Sequence, residues 1–167
     1  TVFEAGGRPG GMLSHAIPRY RLPQVVIDAE IQRITDMGVE WRYNTKIGRD
    51  IGLDRLAQDF RAVFVAIGAQ RSTVLDIEGE HASNVVTGLE FLRDISEGKK
   101  VSPGRKVVVV GGGNTAVDAA RAARRLGSDV TIIYRRTQSE MPAYPPEVEE
   151  AGREGVKIEF LCAPVRV

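Results

Sequence analysis

Val107-Val108-Val109-Val110, then Gly111-Gly112-Gly113-Asn114-Thr115-Ala116, and after a helical stretch Val130-Thr131-Ile132-Ile133-Tyr134-Arg135-Arg136 decide the fold. The order is strand, glycine turn, helix, strand. Four consecutive β-branched residues predict a strand buried on both faces, as a parallel sheet requires. Gly111 allows a tight turn that a side chain would obstruct. Gly113 lets a ligand approach the backbone closely, and the small Ala116 at the third position of G-x-G-x-x-A permits the helix to pack against the strand. The helix that follows is rich in alanine (Ala116, Ala119, Ala120, Ala123) and is stopped by Gly127. Its N-terminus presents amide groups that no helical carbonyl accepts, a favourable place for a pyrophosphate. This is the dinucleotide-binding fingerprint in its proper context.

The end of the second strand bears on which dinucleotide. An acidic residue there accepts hydrogen bonds from the ribose 2'-hydroxyl of NAD, whereas a 2'-phosphate calls for cations. Tyr134 occupies that slot and Arg135-Arg136 follow. Guanidinium groups hold a phosphate through charge-assisted, often bidentate bonds, so the pattern favours NADP over NAD.

Working outward, Thr1-Val2-Phe3-Glu4 repeats the ending of such a unit, this time with the acid in place. Glu4 reads as a ribose ligand at the end of a second strand, and Gly6-Gly7-Arg8-Pro9-Gly10-Gly11 follows as a loop open to a bulky ligand. A βαβ unit needs roughly 30 residues, so the strand and glycine loop that would complete this one are expected upstream of Thr1.

The chain resembles the FAD- and NADPH-binding flavoproteins that include the small (beta) subunit of bacterial glutamate synthase, the amino-terminal half of dihydropyrimidine dehydrogenase and the large subunit of NADH-dependent ferredoxin:NADP oxidoreductase. The resemblance runs end to end. It is carried by Phe3-Glu4-Ala5 with its Gly-Gly-Met loop, Ile17-Pro18-Arg19-Tyr20-Arg21-Leu22-Pro23 and Val63-Phe64-Val65-Ala66-Ile67-Gly68-Ala69. To these are added Gly112-Gly113-Asn114-Thr115-Ala116-Val117-Asp118, Tyr134-Arg135-Arg136, and Glu140-Met141-Pro142-Ala143 followed by Glu147.

What the resemblance implies is an α/β chain with the Rossmann-like three-layer nucleotide-binding fold of two-dinucleotide-domain flavoproteins, incomplete at both ends. Residues 1–83 would be a partial FAD-binding domain, and residues 84–167 an NADP-binding domain lacking its carboxyl-terminal part. Glu4 resembles the FAD ribose ligand, Gly11 and Met12 backbone neighbours of the flavin, and Arg21 and Ile47 further FAD contacts. Gly112, Gly113, Asn114 and Thr115 resemble the NADP pyrophosphate loop, and Arg135 with Arg136 the 2'-phosphate site. Asp118 is expected in the first helical turn, where it either suits the helix dipole or serves a ligand. The family's iron-sulfur cysteines and its last FAD-contacting segment would lie outside this chain.

Composition narrows the alternatives. The 167 residues are 43% hydrophobic with a formal charge of +1, enough to bury a sizeable core, and without the basic run that nucleic-acid binding as a main function would need. No stretch approaches the 18 or so apolar residues of a membrane span, and no signal peptide is visible. The single Cys162 cannot form a cluster, a zinc site or an intramolecular disulfide. Thioredoxin reductase-like enzymes share the two-nucleotide architecture but pass electrons through a Cys-x-x-Cys pair, which this chain lacks.

Elsewhere, apolar spacing predicts helices over 24–37, 53–60, 89–95 and 147–154, the last opened by Pro145-Pro146 and stopped by Gly155. Residues 39–47 read as a strand with Trp41 and Tyr43 on one face, Trp41 packing rather than stacking on a flavin. Residues 62–67 read as a buried strand ended by Gly68. Turn signals at Glu78-Gly79-Glu80 and Ser83-Asn84 mark the crossing between domains. His15 and His81 read as surface or loop residues.

The function expected is electron transfer in the cytoplasm: NADPH gives a hydride to FAD, and single electrons pass to iron-sulfur clusters. The partner would be a glutamate synthase large subunit or another electron-accepting subunit, with glutamate formation as the end reaction. Such chemistry belongs to the cofactors, so no catalytic acid, base, nucleophile or metal ligand is assigned. The alternative is a nucleotide-binding docking or regulatory module without turnover of its own. The fragment alone is expected to be inactive.

Overall fold

The computed structural model describes residues 1–167, which divide into two compact units: Thr1–Ser14 with Arg19–Gln70, and His15–Pro18 with Arg71–Val167. In the second unit, strands β3 (Lys106–Val110), β4 (Asp129–Tyr134) and β5 (Lys157–Phe160) form a parallel sheet in that order, with β4 central. Helix α5 (Asn114–Arg125) joins β3 to β4, and α6 (Pro145–Arg153) joins β4 to β5. Helix α4 (Gly88–Ser96) precedes the sheet and opens with a capping box in which Thr87 and Glu90 exchange hydrogen bonds. α5 packs on β3 and β4, while α4 and α6 pack on α5.

Small residues make the close approach possible. Ala116, Ala119, Ala120, Ala122 and Ala123 of α5 are all buried, and Val130 and Ile132 beneath them are fully inaccessible. Each fully buried β-branched side chain contributes about 1.5–3 kcal/mol. Register places Val107 beside Val130, and Val109 beside Ile132, which is in turn beside Ile158, so these side chains share the covered face.

The expectation that the valine run is buried on both faces is corrected. Val108 is 63% and Val110 40% exposed, alternating with half-buried Val107 and Val109. In this three-stranded sheet β3 is an outer strand, and the helix packed on it, α5, covers one face. Asp118 is likewise moved: α5 begins at Asn114, which puts Asp118 a full turn inside, where it is buried at 3% exposure rather than set in the first turn.

In the first unit, β1 (Val2–Phe3) pairs in parallel with β2 (Trp41–Arg42), and helix α2 (Gln24–Asp36) makes the crossover. A five-residue helix, α1 (Gly11–His15), follows the glycine loop, and α3 (Leu53–Asp59) lies near the end. The Trp41 and Tyr43 rings do share a face, stacked with centroids 6.0 Å apart. Trp41 Nε1 donates to Thr35 Oγ1 at 2.9 Å, tying β2 to the end of α2. Phe3 meets Phe60 edge-on at 6.0 Å.

Two predicted strands of this unit are shorter or absent. The strand expected over 39–47 pairs only at Trp41–Arg42, because Asn44 takes a left-handed conformation (φ 53) and the amides of Asn44 and Thr45 turn to the carbonyls of Gly6 and Glu4. Residues 62–67 pair with no strand, and Phe64 is 93% and Ile67 72% exposed. A buried parallel strand needs neighbours on both edges and cover on both faces, and a two-strand sheet of two-residue strands supplies neither. His81 is exposed; His15, the last residue of α1, is half-buried.

Candidate functional site

The glycine loop is shaped by three different demands. Gly111 adopts φ 135, disfavoured for residues with a Cβ, and its amide still bonds to Ile133 O at 3.0 Å, so the turn begins at the sheet edge. Gly112 is buried against the Tyr134 ring; a Cβ there would fall 2.5 Å from Cε2 and 2.6 Å from Cδ2. Gly113, at the N-cap of α5, has ordinary extended backbone, and the space its Cβ would fill is open. The amides of the first helical turn, around Gly113, Asn114 and Thr115, have no acceptor within the helix, and Asn114 and Thr115 are exposed. A close, anion-seeking surface results.

A second segment closes over the loop. Ala143 N donates to Gly112 O at 3.0 Å, and Tyr144 N donates to Asn114 Oδ1 at 2.9 Å. The Met141-Pro142-Ala143 run therefore has a job that sequence reasoning left unassigned: it straps the start of α6 to the glycine loop. The signal was the run itself, whose buried Ala143 leaves room for that approach.

Tyr134, the last residue of β4, faces the interior. Alternation along β4 sends Val130, Ile132 and Tyr134 to the helix-covered face, where Tyr134 is 8% exposed and its hydroxyl donates to Glu140 O at 2.8 Å. Arg135 and Arg136 begin the loop after it and are both exposed. At the far end of that loop, Thr137 N and Oγ1 donate to the Glu140 carboxylate at 3.1 and 2.8 Å. These bonds, with the Arg136 charge, hold that carboxyl below its usual range.

Behind the site, Arg121 joins two helices. Its buried guanidinium is ion-paired to Glu147, in the first turn of α6, and to Glu154, just past its end, at 2.7 Å for the latter. Arg125 adds a second pair to Glu154 at 2.6 Å. Burial pushes the Glu154 carboxyl up, but the bonds and charges of Arg121 and Arg125 outweigh it and hold the group at about 2. An arginine on the alanine face of α5 was the available signal, yet its partners lie on another helix.

In the first unit, Glu4 is half-buried at the end of β1. Its amide donates to Arg42 O, its carbonyl accepts from Thr45 N, and one carboxylate oxygen accepts from Gly6 N at 2.7 Å. The 45–47 segment is thereby held beside Glu4, with half-buried Ile47 bridged to Ile51. Gly11 opens α1 at φ 48 with free space around it, and Met12 and Arg21 are half-buried. Arg8 and Arg19 both donate to Ser14 O at the end of α1.

The profile of the pyridine nucleotide-disulphide oxidoreductase family matches residues 10–166. The chain is 46% identical over 173 residues to the NADPH-Fe(3+) oxidoreductase subunit beta of Geobacter sulfurreducens, covering 100% of this chain and 26% of that protein. It is 44% identical to the NADP(+)-dependent formate dehydrogenase subunit beta of Moorella thermoacetica, covering 98% of this chain and 24% of the relative. Against the glutamate synthase [NADPH] small chain of Escherichia coli K12 it is 36% identical, over 100% of this chain and 38% of that one. The chain thus spans about a quarter of the first two relatives. Among solved structures, FprA of Mycobacterium tuberculosis in complex with NADPH matches with a TM-score of 0.80 at 18% identity, covering 99% of this chain and 53% of that one.

Proposed function

The chain belongs to the pyridine nucleotide-disulphide oxidoreductase family, and from that premise we propose that it is the nucleotide-binding part of an NADPH-dependent flavoprotein that passes electrons to a partner subunit. Residues 84–167 bind NADP(H) and residues 1–83 form part of an FAD site. The observation that carries the reading is the pair of exposed arginines, Arg135 and Arg136, at the carboxyl end of β4 in the unit that also holds the glycine loop.

The residues fit the groups assigned to them. Open space at Gly113 and the free first-turn amides suit a pyrophosphate, with Gly112, Asn114 and Thr115 completing the loop. Arg135 and Arg136 neutralise a 2'-phosphate. Glu4 has one carboxylate oxygen on Gly6 N, which leaves the other for a ribose hydroxyl; Gly11, Met12, Arg21 and Ile47 flank the flavin. The bound cofactors supply hydride transfer to the flavin and single electrons onward to iron-sulfur clusters. The protein's own part is to bind, orient and exclude water.

The acceptor is the finer question. A glutamate synthase large subunit is one candidate, and the names of the relatives extend the class to iron- and formate-linked oxidoreductases. What they share is a beta or small subunit working with a partner, in a setting we take to be cytoplasmic. The test is an anaerobic titration of the whole protein with NADPH and with NADH, following loss of flavin colour. Bleaching at roughly 10- to 1,000-fold lower NADPH than NADH concentration is expected from two charge-assisted bonds. A flavin that neither nucleotide bleaches would refute the proposal.

A further inference from the structure

Tyr134 is common to both halves of the nucleotide site in the second unit. Its ring is the floor under Gly112: the Cβ positions just described leave no room for any residue but glycine above it. Its hydroxyl reaches the other way and donates to Glu140 O at 2.8 Å. Between its backbone and that hydroxyl bond lies the whole loop that begins with Arg135 and Arg136. The start of the loop is fixed by the sheet, with Cys162 N on Tyr134 O at 3.1 Å and Leu161 N on Arg136 O at 3.2 Å. Its end is fixed internally by the Thr137–Glu140 box and is tied to the rest of the fold at Glu140 by the tyrosine hydroxyl, with the strap from Ala143 N to Gly112 O following three residues on.

We infer that Tyr134 is a specificity-positioning residue: its hydroxyl sets the arginine loop in register with the pyrophosphate loop, so that it governs discrimination by the 2'-phosphate without touching the nucleotide. The inference rests on the NADP reading given above. Its physical basis is the separation of roles on one side chain. The ring supports a loop that serves NAD and NADP alike, whereas the hydroxyl supports a loop that serves the 2'-phosphate. A buried aromatic with only a packing role would not divide its effects in this way.

The test measures NADP+ and NAD+ binding by calorimetry to the whole protein, since the two differ only in the 2'-phosphate. Tyr134→Phe keeps the ring and removes one hydrogen bond; NADP+ is expected to bind roughly 3- to 10-fold more weakly, with NAD+ affinity unchanged. Tyr134→Leu removes ring and hydroxyl together and is expected to weaken both nucleotides. If Tyr134→Phe weakens both equally, weakens neither, or fails to fold, the inference is overturned. Arg135→Ala/Arg136→Ala, measured in parallel, separates the two ideas. If that protein keeps its preference for NADP+, the underlying reading has failed; if it loses the preference while Tyr134→Phe keeps it, only the present inference has failed.

Discussion

Replacing Arg121 by Met should be among the most costly single substitutions in the second unit, and the cost should depend on pH in a defined direction. The Arg121 side chain is 6% exposed and its partners Glu147 and Glu154 are each 19% exposed. Removing the guanidinium takes a buried ion pair from each of two largely desolvated carboxylates and leaves Glu154 with the half-exposed Arg125, a loss of about 3–5 kcal/mol at neutral pH, comparable to a large share of a domain's total stability. Glu154 gives the sign. A carboxyl lowered from 4.5 to about 2 contributes stability, roughly 3 kcal/mol shared between its two arginines. That contribution is fully present above about pH 4.5 and fades as pH falls towards 2. Without Arg121, only Arg125 opposes the burial that raises the carboxyl, so the substitution should cost much less at pH 3 than at pH 7. Arg125→Met removes a guanidinium that is 48% exposed and should cost no more than about 1 kcal/mol. Urea denaturation followed by far-UV circular dichroism at both pH values decides the matter. A loss below about 1 kcal/mol for Arg121→Met at pH 7, or an equal loss at pH 3, would refute the assignment of this network as a clamp between α5 and α6.

Neighbouring glycines should separate folding from binding. Gly112→Ala forces a methyl into the Tyr134 ring and should cost about 1–3 kcal/mol of stability, read as a lowered urea midpoint. Gly113→Ala meets nothing within 4 Å and should leave the midpoint unchanged while weakening NADP+ binding roughly tenfold or more by calorimetry; unchanged binding would mean that no phosphate approaches there. Arg135→Ala/Arg136→Ala should abolish most of the preference for NADPH over NADH and leave NADH affinity nearly intact, measured by titration of the whole protein. The 167-residue chain purified alone should be colourless, since Glu4 and the 45–47 segment are a small part of a flavin site; a yellow preparation with one flavin per chain would contradict this.

Much of the second unit was legible because its signals are local. A strand–glycine–helix–strand order is written in consecutive residues, and a turn that needs φ 135 at Gly111 or a small residue at Ala116 announces itself in the residue type. The same holds for Arg135-Arg136, whose position after a strand says what they can meet, and for the helices, whose bounds follow from apolar spacing and caps. Partners distant in the chain were not legible. Which face Tyr134 takes depends on which side of β4 the helices cover, and the bond from its hydroxyl to Glu140 O follows from that side. Arg121 reads as an ordinary helical cation until α6 brings Glu147 and Glu154 to it. The β-branched runs at 62–67 and 107–110 show the same limit: sequence specifies a preference for extended backbone, but burial on both faces depends on the strands and helices placed beside them. Propensity is a property of the residue and its near neighbours, whereas burial, pairing and charge compensation belong to the packed chain.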